Sequence, residues 1–165
     1  MLNSKKILES FLQKQRFKKV LPFLGKDVLD FGGNRGELRQ WVKGNYTLVN
    51  NDREAMEGKQ FDTIIALAVI EHLRIEEVYS VFRKFKNALQ HNGVILVTTP
   101  TALAKPVLEL LAWIGLLDKK NIVEHKHYWR KKEIYELASS NGFIIENYSI
   151  FQFGFNQFVK LKHRD

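Results

Sequence analysis

The sequence predicts a doubly wound, mostly parallel α/β sheet that ends in an antiparallel hairpin. Three observations carry that prediction. Short apolar runs alternate with amphipathic stretches of helical period along most of the 165 residues, as expected when β and α elements take turns. A glycine-rich turn, Gly32 to Gly36, directly follows the apolar run 27–31, where a parallel strand would pass into its crossover. The last two strand-like pieces, 143–150 and about 155–162, are separated by a turn containing Gly154, which reads as a hairpin.

The elements follow in order. Residues 4–20 place Ile7, Leu8, Phe11, Leu12 and Val20 at helical spacing with lysines between them, a helix with one buried stripe and one basic face, and Ser4 stands where an N-cap would. Pro22 and Gly25 end the run. Two placements suit such a helix: a lid over a ligand pocket, or a helix packed on the sheet edge. The first strand is 27–31, and its helix is expected over 36–42, stopped near Gly44-Asn45. The second strand is 46–50, followed by Asp52. Only residues 53–60 separate Asp52 from Phe61, whereas a crossover containing a helix takes at least about 10–12 residues. A loop of about ten extended residues reaches about 33 Å, enough to return. A whole helix-strand unit is therefore expected to be absent here.

The third strand, 63–68, is continuously apolar, as suits a central strand covered on both faces. Glu71-His72-Leu73 follows, then an amphipathic helix over 75–90 with Val78, Val81, Phe82, Phe85 and Leu89, ended by Asn92-Gly93. The fourth strand is 94–98, closed by Thr99-Pro100. An apolar helix over 102–117 precedes a polar segment, Glu124-His125-Lys126-His127-Tyr128-Trp129, and a helix over 131–140 stopped by Asn141-Gly142. The layout is one domain over 1–165, with the N-terminal helix inside 1–25 and a lid-like insertion over 101–130.

Composition narrows the function. With no cysteine, disulfides, thiolate catalysis and cysteine zinc sites are excluded. The first residues lack the order of a signal peptide. The most apolar run, 103–117, carries Lys105, Pro106 and Glu109 and is too short to span a bilayer. A cytoplasmic protein is expected, with loose membrane contact left open. The formal charge of +8 and pI near 9.6 suit either a nucleic-acid partner or a lysine-rich solvated surface. The basic residues are spread out without an arginine-rich tract, which favours the surface.

The glycine turn is where ligands meet open α/β sheets, because glycine lets a ligand approach the backbone without meeting a Cβ. The order of motifs now resembles the class I S-adenosylmethionine-dependent methyltransferases, over residues 26 to 162. Val28-Leu29-Asp30-Phe31-Gly32 to Gly36 is similar to the family's first motif. Phe61-Asp62-Thr63-Ile64-Ile65 through Val69-Ile70-Glu71-His72-Leu73 looks like its fourth-strand motif, in the form common among ubiquinone-biosynthesis-type enzymes. Leu89 to Pro100 looks like the fifth-strand motif, and Asn141-Gly142-Phe143 resembles the lead-in to the terminal strands. The resemblance implies the Rossmann-like methyltransferase fold and S-adenosyl-L-methionine as cofactor, with S-adenosyl-L-homocysteine as product.

It also implies roles. Gly32, Asn34 and Gly36 would let the methionine portion lie on the backbone. Asp30 would hold its ammonium, Asp52 both ribose hydroxyls, and the backbone near Ala66, Leu67 and Ala68 would line the methionine end. There are two departures. Asn34 stands where the family usually has glycine, and asparagine tolerates the left-handed conformation. The shortened stretch after Asp52 has no match for the acid that contacts adenine.

Methyl transfer to a hydroxyl needs an acceptor held in line and a proton removed. His72 and His127 are the candidate bases, and Glu71, His125 and Tyr128 candidate substrate contacts. Glu71 is equally suited to capping the next helix. His-x-His with one acid is a thin metal signal, and no metal is expected. Phe151, Phe153 and Phe155 would share a face in extended chain. The expected activity is methylation of a small or medium-sized acceptor, at oxygen. The charge motivates one rival, an RNA methyltransferase. The short 53–60 connection motivates another, a non-catalytic module that has lost the cofactor. A nicotinamide enzyme is disfavoured, since the turn lacks the G-x-G-x-x-G spacing.

Overall fold

The computed structural model describes residues 2–50, 56–115 and 125–164. Its centre is a six-stranded sheet in the order β2-β1-β3-β4-β6-β5. The strands are β1 (Asp27–Phe31), β2 (Asn45–Val49), β3 (Phe61–Leu67), β4 (Leu89–Pro100), β5 (Phe143–Phe151) and β6 (Asn156–His163). β2, β1, β3 and β4 pair in parallel, while β6 lies antiparallel between β4 and β5. The parallel half and the terminal hairpin are thus both as the sequence predicts.

Both faces of the sheet are covered, and alternation along the central strands shows how. Leu29, Ile64, Ala66, Ile95 and Val97 face one apolar layer, whereas Val28, Ile65 and Leu96 face the other. On the first face pack helices α2 (Ile75–Ala88) and α4 (Lys131–Ser140), through Val78, Val81, Phe82, Phe85, Ile134 and Leu137. On the second face packs helix α1 (Leu2–Val20), through Phe17 and Val20. The remaining helix, α3 (Ala104–Trp113), follows β4. α3 is shorter than the expected 102–117, ending at Trp113 with Ile114 and Gly115 in a turn, and residues 116–124 lie outside the described residues.

Four expectations are corrected. The helix over 36–42 is a single short 3-10 segment, Glu37–Trp41. Gly36 enters it at φ 71° and Val42 leaves it in extended conformation, so the span between β1 and its neighbour β2 holds no complete α-helix. Asn92-Gly93 does not separate α2 from β4. The strand starts at Leu89, and the extra residues are taken up by a register shift against β3, where Phe61 faces Leu89 but Thr63 faces Val94. Ile7 and Phe11 do not form the buried stripe of α1; they are exposed, and Phe17 and Val20 make the core contact. Phe151, Phe153 and Phe155 do not share a face, because Gln152 and Phe153 take positive φ and reverse the chain, leaving Phe153 94% exposed.

The short connection after β2 bears on the site. Residues 56–60 form only a turn. Among the described residues β2 is the sheet edge, with no further strand beyond it.

Candidate active site

At the carboxyl ends of β1, β3 and β4 the sheet opens into a cavity of about 680 Å³. Its floor is built by the first turn. The buried carboxylate of Asp30 accepts the Tyr46 hydroxyl at 2.5 Å. Gly33 lies directly over it: a Cβ at Gly33 would stand 2.2 Å from Asp30 Oδ2. A Cβ at Gly32 would meet Val69 at 2.5 Å. Both positions need glycine for space, and Gly32, at φ 75°, needs it for conformation too. The turn is then locked from β2: the Asn34 amide donates to Asn50 Oδ1 (3.1 Å), and Asn50 Nδ2 donates to the Asn34 carbonyl (2.8 Å). Asn34 holds φ 53°, so asparagine does take the left-handed place of the missing glycine.

β3 ends in a second constraint. Ala68 has φ 55° and its amide donates to the Thr98 carbonyl at 2.8 Å. A positive φ at alanine is uncommon; here it bends the chain so that Leu67, Ala68 and Val69 line the cavity. Ala66 does not reach it, being fully buried in the core. Gly36 also stands back, at the start of the 3-10 segment beside the Tyr46 hydroxyl. Asp52, expected to hold ribose, lies outside the described residues.

The far wall carries a polar group assembled from distant segments. Glu71 is 1% exposed. Thr99 Oγ1 donates to its Oε2 at 2.9 Å, and its Oε1 has no partner. Burial pushes its carboxyl up to about 7, against the downward pull of its own backbone amide, the Thr99 bond and the Arg16 charge. Glu71 does not cap α2; Glu77 does, accepting the Arg74 amide at 2.8 Å. The segment 125–130 is laid against Glu71 by backbone bonds, since the Lys126 and His127 amides both donate to its carbonyl (2.7 and 3.3 Å). Trp129 anchors the segment, buried in the core with its indole N–H toward the Ile70 carbonyl.

That docking brings His125 to His72, ring edge to face at 4.7 Å between centroids. Burial, with the His72 charge behind it, lowers His125 to about 4, so it is a neutral imidazole near pH 7. Tyr128 sits behind it, its hydroxyl 3.0 Å from His125 Nδ1. His127 points elsewhere. Its Nε2 pairs with Glu133 Oε1 at 3.1 Å, its ring meets Trp129, and it lines a separate outer hollow. His72 and His125 are therefore brought together at the cavity, and His127 is not.

Helix α1 supplies what sequence reasoning missed. Glu9, Ser10, Leu12, Gln13, Arg16 and Phe17 line the cavity. The helix packs on a face of the sheet rather than on its edge, and it also forms one wall of the cavity. Arg16 is close enough to Glu71 to influence its charge, and burial lowers its own pKa. An i, i+4, i+7 set of polar residues, Glu9-x-x-x-Gln13-x-x-Arg16, was the only available signal.

Known proteins share this fold. A family model described as a methyltransferase domain matches residues 5–147. No curated protein sequence matches the chain. Among solved structures, a SAM-dependent methyltransferase from Archaeoglobus fulgidus is similar at TM-score 0.69 and 14% identity, covering 92% of this chain and 93% of that one. Magnesium protoporphyrin IX methyltransferase from Synechocystis PCC 6803, with bound SAH, is similar at TM-score 0.63 and 19% identity, covering 93% and 84%. An O-methyltransferase from neocarzinostatin biosynthesis, in complex with S-adenosylmethionine and 2-hydroxy-5-methyl naphthoic acid, is similar at TM-score 0.59 and 15% identity, covering 82% and 48%. The chain spans about half the length of several of the solved structures it matches. With the match to the family model over residues 5–147, the chain belongs to the methyltransferase-domain family, on the class I S-adenosylmethionine-dependent methyltransferase fold.

Proposed function

We propose that the cavity binds S-adenosylmethionine and directs its methyl group to a hydroxyl oxygen of a small or medium-sized acceptor. One observation carries this reading. A buried acid under a glycine turn, a guanidinium and a Glu-His-His group all line a single cavity at the carboxyl ends of the strands. The residues fit the cofactor. Asp30 is a buried carboxylate suited to the methionine ammonium, and Arg16 a cation suited to its carboxylate. Gly32 and Gly33 let Val69 and Asp30 pack directly against the turn, which holds the Asp30 carboxylate at the cavity floor. A cavity of about 680 Å³ is of the size that takes small ligands. Asp52 remains the residue proposed for ribose.

The bound cofactor supplies an electrophilic methyl carbon on a sulfonium. The protein's part is position and proton handling. The bend at Ala68 sets the backbone that flanks the methionine end. Leu12 on α1 and Leu108 on α3 wall the cavity. Glu71, His72 and His125 face the acceptor and orient its hydroxyl. The hydroxylated acid bound by the neocarzinostatin enzyme supports an acceptor of that size carrying a hydroxyl.

Thermal unfolding with S-adenosylhomocysteine, against NAD as control, tests the reading. A ligand at 100 times its Kd stabilises by about 2.7 kcal/mol, which for a domain of this size is about 5–11 °C. Methyl transfer to a panel of hydroxylated aromatic acids then tests the acceptor. No shift at millimolar S-adenosylhomocysteine overturns the proposal in favour of a module without cofactor.

A further inference from the structure

We infer that Glu71, His72 and His125 form a binding site for one divalent transition-metal cation, of the zinc or cobalt kind, at the acceptor end of the cavity. The sequence offers no such signal, because the residues come from the end of β3 and from the distant segment before α4. The fold brings their ligand atoms within 4.8 Å of one another. With metal–donor bonds of about 2.0–2.2 Å, donors across a cation stand at most about 4.4 Å apart, so a small side-chain rotation closes the set.

Three further observations point to a ligand here. Glu71 Oε1 is buried without a partner, a costly state for a carboxylate that a cation would relieve. Its other oxygen is held by Thr99 Oγ1 at 2.9 Å, and His125 Nδ1 is paired with the Tyr128 hydroxyl at 3.0 Å. Both are the outer contacts that orient metal ligands, and the second leaves Nε2 as the donor atom of His125. Two imidazoles with one carboxylate suit zinc, cobalt, nickel or iron(II) better than magnesium or calcium. Three protein donors leave a coordination position open, and Glu71, His72 and His125 all line the cavity.

The use of that position rests on the methyl-transfer reading. The acceptor hydroxyl takes it, its O–H bond breaks and the proton goes to solvent. The oxygen lone pair then forms the bond to the methyl carbon as the carbon–sulfur pair returns to sulfur, leaving a methyl ether and a neutral thioether. Arg16, near Glu71, opposes the cation until an anion pairs with it.

The test uses the tag-free full chain stripped with EDTA and titrated with CoCl2, read by calorimetry and by the visible d–d bands of cobalt. One equivalent is expected to bind with bands of four- or five-coordinate cobalt, and ZnCl2 should displace it. Glu71→Gln and His125→Ala should each weaken uptake at least tenfold with the circular dichroism of the fold intact. Arg16→Gln should tighten it several-fold. Absence of uptake at millimolar CoCl2 overturns the inference, and so does uptake unchanged by both Glu71→Gln and His125→Ala, which would place the ion elsewhere, such as at His127 and Glu133. The S-adenosylhomocysteine shift is measured separately. A shift without cobalt uptake refutes the metal and leaves methyl transfer standing. Cobalt uptake without a shift supports the site and refutes the cofactor.

Discussion

Replacing Asp30 by asparagine should separate ligand binding from folding. The carboxylate is 3% exposed and accepts one hydrogen bond, from Tyr46 at 2.5 Å. Asparagine keeps an oxygen for that bond and loses only the charge. If Asp30 holds the methionine ammonium, a charge-assisted bond worth about 1.5–3 kcal/mol is lost, a weakening of S-adenosylhomocysteine binding by about 10- to 150-fold. Stability should move the other way or not at all. Burial raises the Asp30 pKa, so between the ordinary carboxylate value and that raised value the folded state holds a proton the unfolded chain has released. Stability is therefore lost as pH rises through that window, and near pH 7 the charged carboxylate is a cost that asparagine removes. Calorimetry and thermal unfolding should thus show a higher Kd beside an unchanged or raised Tm. The wild-type affinity should also fall as pH drops through the raised Asp30 titration, with the Asp30→Asn protein flat over the same range. A folded Asp30→Asn protein that binds S-adenosylhomocysteine within twofold of wild type refutes the assignment.

Other outcomes follow from the same geometry. Arg16→Gln should weaken S-adenosylhomocysteine by about tenfold, one charge-assisted bond, and calorimetry would show it. Gly33→Ala puts a Cβ 2.2 Å from the Asp30 carboxylate; it should cost about 1–3 kcal/mol of stability in urea unfolding and abolish the cofactor shift. Gln157 is 1% exposed, donates to the Trp129 carbonyl at 2.6 Å and accepts from the Tyr148 hydroxyl at 3.0 Å. It also donates to the Pro100 carbonyl at 3.2 Å, so Gln157→Leu removes three hydrogen bonds and a loss of about 2–4 kcal/mol is expected, together with weaker cobalt uptake as the His125 segment loosens. Phe85→Ala, in the centre of the first core layer, should lower stability by about 3–5 kcal/mol without changing ligand affinity in the protein that remains folded.

Local signals determined much of this protein. Period-two and period-3.6 patterning placed β1, β3, α2, α4 and the terminal hairpin, because burying one or both faces of an element leaves a trace in every few residues. The glycine turn and Asp30 were legible because space and positive φ restrict the residue type at the position itself. The eight residues after Asp52 left no room for a helix-strand unit, because a helical crossover takes at least about 10–12 residues. What the sequence could not show is which distant pieces share a wall. Arg16 enters the cavity only because Phe17 and Val20 seat α1 on the second face of the sheet. His125 meets His72 only because Trp129 is buried and two amides bind the Glu71 carbonyl, while the neighbouring His127 turns away to Glu133. The Asn50 lock on the turn, the reversal at Gln152 and Phe153, and the unpaired Glu71 oxygen arise in the same way. Each depends on contacts between residues far apart in the chain, which spacing and composition do not encode.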